Sequence, residues 1–348
     1  MAYSTIIKPN TNFNPVLYTG NGGTQSITGV NFQPDFVWVK GRTNAPNHYL
    51  FDSVRGVQKN IHSNTNDAEV TEANTLTAFD SDGFTLGSDG NPNGSGQNYV
   101  GWNWLAGTAV SGATTGAGTA KTYTGSVNTT SGFSIIKYTG NGTAGHTIPH
   151  NLGVTPSAIF VKGLSALSNW SSYHSVLGNT GYMRLDGTGA FATASTYWNN
   201  TSPTSSVFTL GTTGNVNADG NDFIAYCFAD VKGFSKFGSY VGNGNADGTF
   251  IYTGFKPAFI MIKPSSKVEA WSMFDTKRVG YNPDNNYLYA NENYAEGTNE
   301  RLDIVSNGFK IRSSTGEINT SAATMIYMAF AENPLVANTS GGIPTTAR

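Results

Sequence analysis

Large apolar side chains recur at every second position in three short stretches that lie far apart along the chain. In "YVGWNW" (99–104) Val100, Trp102 and Trp104 share one face, in "FIAYCF" (223–228) Ile224, Tyr226 and Phe228 do, and in "MIYMAF" (325–330) Ile326, Met328 and Phe330 do. The opposite face carries smaller groups in its middle and end: Gly101 and Asn103, Ala225 and Cys227, or Ala329. Period two with one bulky face predicts a strand packed on a core through that face. A second set, "PDFVWVK" (34–40), "PSAIFVK" (156–162) and "PAFIMIK" (257–263), is apolar on both faces, as expected of a strand covered on both sides. The lysine ending each run, Lys40, Lys162 or Lys263, is expected at the rim, its stem packed and its ammonium in water. Helical periodicity is nearly absent; residues 67–74 could make a turn or two.

These stretches belong to a unit spelled three times. It opens with "YTGNG" at Tyr18, "YTGNG" at Tyr138 or "YVGNG" at Tyr240, and the proline run follows at a matched spacing. Twelve residues beyond each lysine stands Asp52, His174 or Asp275, preceded by Phe51, Tyr173 or Phe274. Then come "GFTLG", "VFTLG" or "GFKIR", and finally the closing stretch. Matched order and spacing mean internal triplication. Each unit holds short strands between turn residues, which predicts an all-β protein of three tandem antiparallel β-sandwich, jelly-roll-like domains. The expected boundaries are repeat 1 over 1–107, a Gly/Thr/Ser-rich linker with one edge strand at most over 108–131, repeat 2 over 132–232, repeat 3 over 233–334 and a tail over 335–348. Repeats 2 and 3 are joined tightly, whereas the linker leaves the first repeat free to hinge.

Composition narrows the chemistry. Charged residues are 12% of 348, about half the usual share, and the net charge is −2. No basic excess exists to neutralise a phosphate backbone, which argues against nucleic acid as a partner. Aromatics at 12% argue against disorder despite 42 glycines. Cys227 stands alone, so no intramolecular disulfide forms, and it is expected to be a buried free thiol. The start, "MAYSTIIKPN", lacks the basic and apolar regions of a signal peptide, and no apolar run is long enough to insert in a membrane.

The repeated "GNG" invites a phosphate-loop reading, but no "GK[ST]" opening a helix follows, and the stretch reads as a hairpin turn. His146 and His150 have the spacing of a zinc helix, yet "HTIPH" lacks the glutamate and places Pro149 between them. No "GxSxG" elbow appears, and carboxylates are too few to suggest an acid pair, so no enzyme, catalytic residue or cofactor is expected. The metal candidate is a calcium loop at Asp80, Asp82 and Asp89, opposed by the loss of those carboxylates in the third repeat, where "SNG" keeps only the turn. Four residues before the Asp/His/Asp position stand His48, Trp170 and Trp271. Aromatics there could stack on a glycan; the competing role is a cover over the core.

The stretches "YTGNGGTQSITGVNFQPDFVWVK", "FDSDGFTLG", "CFADVKGFSKFGSYVGNG", "YTGFKPAFIMIK" and "IYMAFAENP" resemble a repeated domain of uncharacterised function found in tailed bacteriophages, notably marine ones, in virion structural or tail-fibre-like proteins. The resemblance implies a non-enzymatic virion component, made in the bacterial host cytoplasm and displayed on the particle surface. It would be a tail fibre, a short appendage or a capsid decoration protein touching host surface glycans. The alternative is a carbohydrate-binding module or a polysaccharide depolymerase. A surface poor in charge with exposed strand edges suits permanent contact with other virion proteins and a homo-oligomer, a trimer in the favoured reading.

Overall fold

Each repeat lays down the same antiparallel sheet. In the first, Phe13–Thr19, Asn98–Trp104, Phe36–Gly41 and Tyr49–Asp52 are neighbours in that order. The second sets Phe133–Thr139, Asp222–Phe228, Ala158–Gly163 and Ser171–His174 side by side, and the third Ser235–Val241, Thr324–Pro334, Phe255–Pro264 and Ser272–Asp275. These are called the opening, closing, proline and fourth strands. The closing strand lies between the opening and proline strands, so its alternating bulky face is flanked by bulky neighbours. Trp102 sits opposite Pro15 and Trp38, Tyr226 opposite Ile135 and Phe160, and Met328 opposite Phe237 and Met261. The computed structural model describes residues 4–278, 282 and 286–335.

A small sheet covers the outer face of each large one. Gln25–Thr28, Gly83–Leu86 and Leu76–Asp80 form it in the first repeat, and Phe250–Tyr252, Gly308–Ile311 and Leu302–Val305 in the third. In the second, His146–Pro149 pairs with Val207–Leu210, but the third strand, Thr115–Gly116, joins the opposite edge. The single turn Ser195–Trp198 takes the place of the missing one. The protein is therefore all-β, in several antiparallel sheets. Between the large and small sheets of the first repeat lie Phe51, Phe84, Leu86 and Tyr99, and of the second Tyr138, Trp198, Phe208 and Cys227, all buried.

The inner faces of the three large sheets meet in one core. Phe36 stacks on Tyr226 with ring centres 4.3 Å apart, Phe13 meets Phe330 at 5.0 Å, and Phe228 meets Phe330 at 5.7 Å. Trp104 packs edge-on against Phe228 and Phe259, tying the first repeat to both others. Each pair of repeats is thus in direct aromatic contact, and the expected hinge at the first repeat is replaced by burial. The alternating bulky faces require this: a face of Trp, Tyr, Phe and Met has no water-compatible surface and finds its cover in the equivalent faces of the other two.

Two segments differ from expectation. Residues 108–131 are not a linker: Thr108–Ala113 and Thr122–Asn128 extend the second large sheet to six strands, and Thr115–Gly116 joins a small one. Small uncharged residues there allow close strand pairing, which low bulk alone concealed. Residues 67–74 hold no helix; Val70–Thr71 pairs with Lys59–Asn60. The tail over 335–348 lies outside the described residues but for Leu335.

The "GNG" turn is a corner rather than a hairpin, because the strands on either side enter different sheets. Each corner is held by a buried asparagine on a one-turn helix, Gly90–Asn93, Gly214–Asn217 or Gly316–Asn319. Asn217 Oδ1 accepts from Asn141 N–H at 3.0 Å, and its Nδ2 donates to Gly211 O at 2.7 Å and Thr143 O at 3.0 Å. Asn93 and Asn319 make the matching bonds to Asn21 and Asn243. The motif tyrosines donate to the same helices: Tyr18 to Pro92 O, Tyr138 to Val216 O and Tyr240 to Ile318 O. The first glycine is obligatory, since a Cβ on Gly140 would stand 2.4 Å from Ala218 O. Asn217→Ala orphans three backbone groups and should lower the unfolding free energy by on the order of 3 kcal/mol, read by urea denaturation.

Candidate functional site

The side chains singled out by sequence converge on the three seams between repeats. Trp170 Nε1 donates to His62 O of the first repeat at 2.8 Å, and Trp271 Nε1 donates to Arg184 O of the second at 2.8 Å. His48 closes the circle: its Nε2 meets Tyr289 O of the third repeat at 2.9 Å while Nδ1 accepts from Trp38 Nε1 at 2.8 Å. That acceptance places the ring proton on Nε2. All three rings are buried, so the stacking face expected for a glycan is filled with protein. Each repeat reaches into the next, first to third, third to second and second to first.

A second circle runs through the Asp/His/Asp position. Tyr226 Oη donates to Asp52 at 2.7 Å, and Trp102 Nε1 donates to Asp275 at 3.0 Å. His174 Nε2 meets Tyr327 O at 3.2 Å. Each aspartate is also paired within its own repeat, in a motif that escaped the sequence reading: Asp-x-x-Arg. Arg55 Nε bonds Asp52 at 2.5 Å, and Arg278 Nε bonds Asp275 at 2.6 Å; their other nitrogens reach Glu69 and Glu296. Arg42 adds a bidentate grip on Glu296 across the seam. In the second repeat the Asp, Arg and Glu are replaced by His174, Leu177 and Phe191, and the facing donor becomes Met328 where the other repeats have Trp102 and Tyr226. Donor and acceptor are therefore lost together, leaving an apolar seam. Burial lowers the His174 pKa to about 4, so the ring is neutral at pH 7.

The three lysines are not at a solvated rim. Lys40, Lys162 and Lys263 are fully buried, at one end of the common core. Lys40 Nζ donates to Gly41 O at 3.0 Å and Asn293 O at 3.2 Å, Lys263 Nζ to Thr188 O, Pro264 O and Lys267 O, and Lys162 Nζ to Ser168 O. Loop carbonyls take the place of water, with Asn293 O and Thr188 O supplied by a neighbouring repeat and Ser168 O by the lysine's own. Desolvation lowers the pKa of Lys40 to about 7 and of Lys162 and Lys263 to about 8. Backbone bonds knit every seam at the same end, among them Glu69 N–H to Leu164 O, Phe191 N–H to Ser265 O and Glu296 N–H to Arg42 O.

The calcium candidates separate. Asp82 accepts from Gly29 N–H and Asn31 N–H, Asp89 accepts from Asn91 N–H as a helix cap, and Asp80 accepts from Thr85 Oγ1. Among the described residues no three acidic, histidine or cysteine side chains gather as metal ligands. Cys227 is a buried free thiol, pushed up to about 12 by burial. His146 bonds Asn217 and Thr114, holding a corner rather than a metal, and His150 bonds Thr204 O. A small enclosed space remains in the common core, with an apolar lining that includes Trp38, Trp104, Phe160, Phe259 and Met328.

One family model spans residues 8–334, all three repeats and their seams together. The chain belongs to the DUF7483 family, a domain of unknown function. A search of curated proteins finds no match. The span of the DUF7483 match agrees with the structural unit: the three repeats share one core, and one model covers them as one.

The seams carry two predictions. Arg55→Ala leaves Asp52 buried without its cation and should cost about 3–5 kcal/mol. Converting that seam to the apolar version, Asp52→His, Arg55→Leu, Glu69→Phe and Tyr226→Met together, should stay within about 1 kcal/mol of wild type by chemical denaturation. The second concerns Asp186, which stands where the other repeats hold Asn64 and Asn291 against the backbone N–H of His48 and Trp271. Its Oδ1 is buried without a partner, and burial raises its pKa to about 6 against the pull of Lys162. The folded state holds this proton more tightly than the unfolded chain. The carboxyl's contribution is therefore present below its ordinary value and is lost as pH rises through about 6. Asp186→Asn should stabilise the protein relative to wild type at pH 7.5, by about 2 kcal/mol, and much less at pH 4.5.

Proposed function

We propose that the chain is a non-enzymatic structural component of a tailed-phage virion, a surface appendage or a capsid decoration protein built of three β-sandwich, jelly-roll-like repeats. The reading rests on the resemblance of the repeated motifs to phage virion proteins. The observation that carries it physically is the use made of the interior polar groups. The aspartates, arginines and lysines at the seams, with Trp102, Trp170 and Trp271, are hydrogen-bonded to one another or to backbone carbonyls, and many of these bonds cross a seam. Such a molecule is equipped to hold shape. A surface with few charges pairs with other virion proteins at low desolvation cost, and further copies of the chain are natural partners. Host glycans would be met on the outer small sheets and loops, because the seam aromatics are covered.

Peptide mass spectrometry of purified particles from the phage that encodes the chain tests the reading. The chain should be present in stoichiometric amount with other structural proteins, and a particle density map should contain density that fits its three packed repeats. Presence only in the lysate and absence from washed particles would refute it. Turnover of a host polysaccharide by the pure protein would favour the depolymerase.

A further inference from the structure

We infer that two copies of this chain pair through the edge strand Thr108–Ala113, continuing one six-stranded sheet into the other across a twofold axis at Ser111. This gives the self-association proposed above a specific surface.

The geometry of the edge carries the inference. The strand is the outermost of the second large sheet and pairs on its inner side with Thr122–Asn128 in an unbroken register. In line with that register Thr114 N–H bonds Lys121 O at 2.7 Å. Bonded pairs alternate along an antiparallel ladder, so Thr108, Val110 and Gly112 bond inward. The N–H and C=O groups of Ala109, Ser111 and Ala113 therefore aim outward. All three residues are exposed, and their small side chains let another strand approach closely. From Gly107 to Ala120 the sequence "GTAVSGATTGAGTA" has no charge and no proline.

Other edges of the large sheets are blunted. Leu50 and Ile61 exchange backbone bonds beyond the fourth strand of the first repeat, Ser172 and Met183 do so in the second, and Leu288–Tyr289 covers the fourth strand of the third. Of the opening strands, Phe13–Thr19 contains Pro15, which has no N–H, and Ser235–Val241 carries Lys236. Charge, proline and covering segments are the usual devices against edge pairing. Their absence at this one edge marks it as a surface meant to be covered.

The occupant that fits is a second copy. An antiparallel partner centred on Ser111 matches Ala109 with Ala113 and Val110 with Gly112, so every outward group meets its complement and no two large side chains face each other. The strand is self-complementary, which is the requirement of a twofold interface. A threefold interface is the weaker choice, because the three-way packing is already completed within one chain.

Sedimentation velocity and light scattering of the full chain across a wide concentration range test the pairing. Wild type should show a reversible dimer, and Ser111→Lys should weaken it by about tenfold or more while the melting temperature holds. Ser111→Cys should form an intermolecular disulfide under mild oxidation. Ser95→Cys, on an exposed turn elsewhere, should not, and Cys227 is buried and silent in both. A wild-type monomer at every concentration overturns the inference, as does a dimer or trimer that Ser111→Lys leaves intact. Failure here leaves the virion reading standing, since that is decided by the contents of the particle.

Discussion

Everything in this molecule depends on the three large sheets sharing one core. An isolated repeat would cover the outer face of its sheet with its own small sheet and leave the inner face, with two large aromatic or sulfur-bearing side chains from the closing strand alone, open to water. The hydrophobic effect makes that untenable, and the repeats solve it mutually. Apolar attraction is not directional, however, and would let the three sheets slide. The polar circles supply direction: Trp170, Trp271 and His48 donate to carbonyls of the next repeat, and Asp52 and Asp275 accept from it. Bonds with one buried partner on each side of a seam fix the register, because slipping leaves both partners unpaired.

The seams also show how a triplicated chain diverges without breaking. A buried carboxylate is tolerable only with its donors, and a donor only with its acceptor. The second repeat exchanges Asp, Arg and Glu for His174, Leu177 and Phe191, and the facing position of the third repeat is Met328. Two seams hold a buried Asp–Arg pair met by a donor at this position, and the third has lost all three. Asp186 is the partial exception, a charge standing where the other repeats have a neutral amide, with one oxygen left unpartnered.

The same economy explains the repeated five residues. Tyrosine, glycine and asparagine in "YTGNG" are chosen for a corner that carries the chain from the large sheet to the small one. The tyrosine hydroxyl donates to a carbonyl of the one-turn helix, and the buried asparagine of that helix accepts from an N–H of the corner. A phosphate would find those N–H groups already engaged.

Periodicity, repetition and spacing in the sequence determined much by themselves. Period-two alternation in three matched stretches identified the strands and the buried face of each closing strand, and matched order identified the triplication, because strand alternation and repeat spacing are local properties written residue by residue. Which surface covers that buried face was not local. Sequence reading assigned each repeat its own core, whereas the structure joins the three inner faces, a choice made between segments some hundred residues apart. Lys40, Lys162 and Lys263 follow from this. A lysine ending an apolar strand is solvated when the sheet is alone and buried when the repeats close together and loop carbonyls cap it. The Asp-x-x-Arg pairs, visible twice in the sequence, acquired meaning only once Tyr226 and Trp102 of other repeats were brought against them. Composition, likewise, could not tell a flexible linker from the edge strand Thr108–Ala113, since small neutral residues serve both, and only the adjacent strand Thr122–Asn128 decided between them.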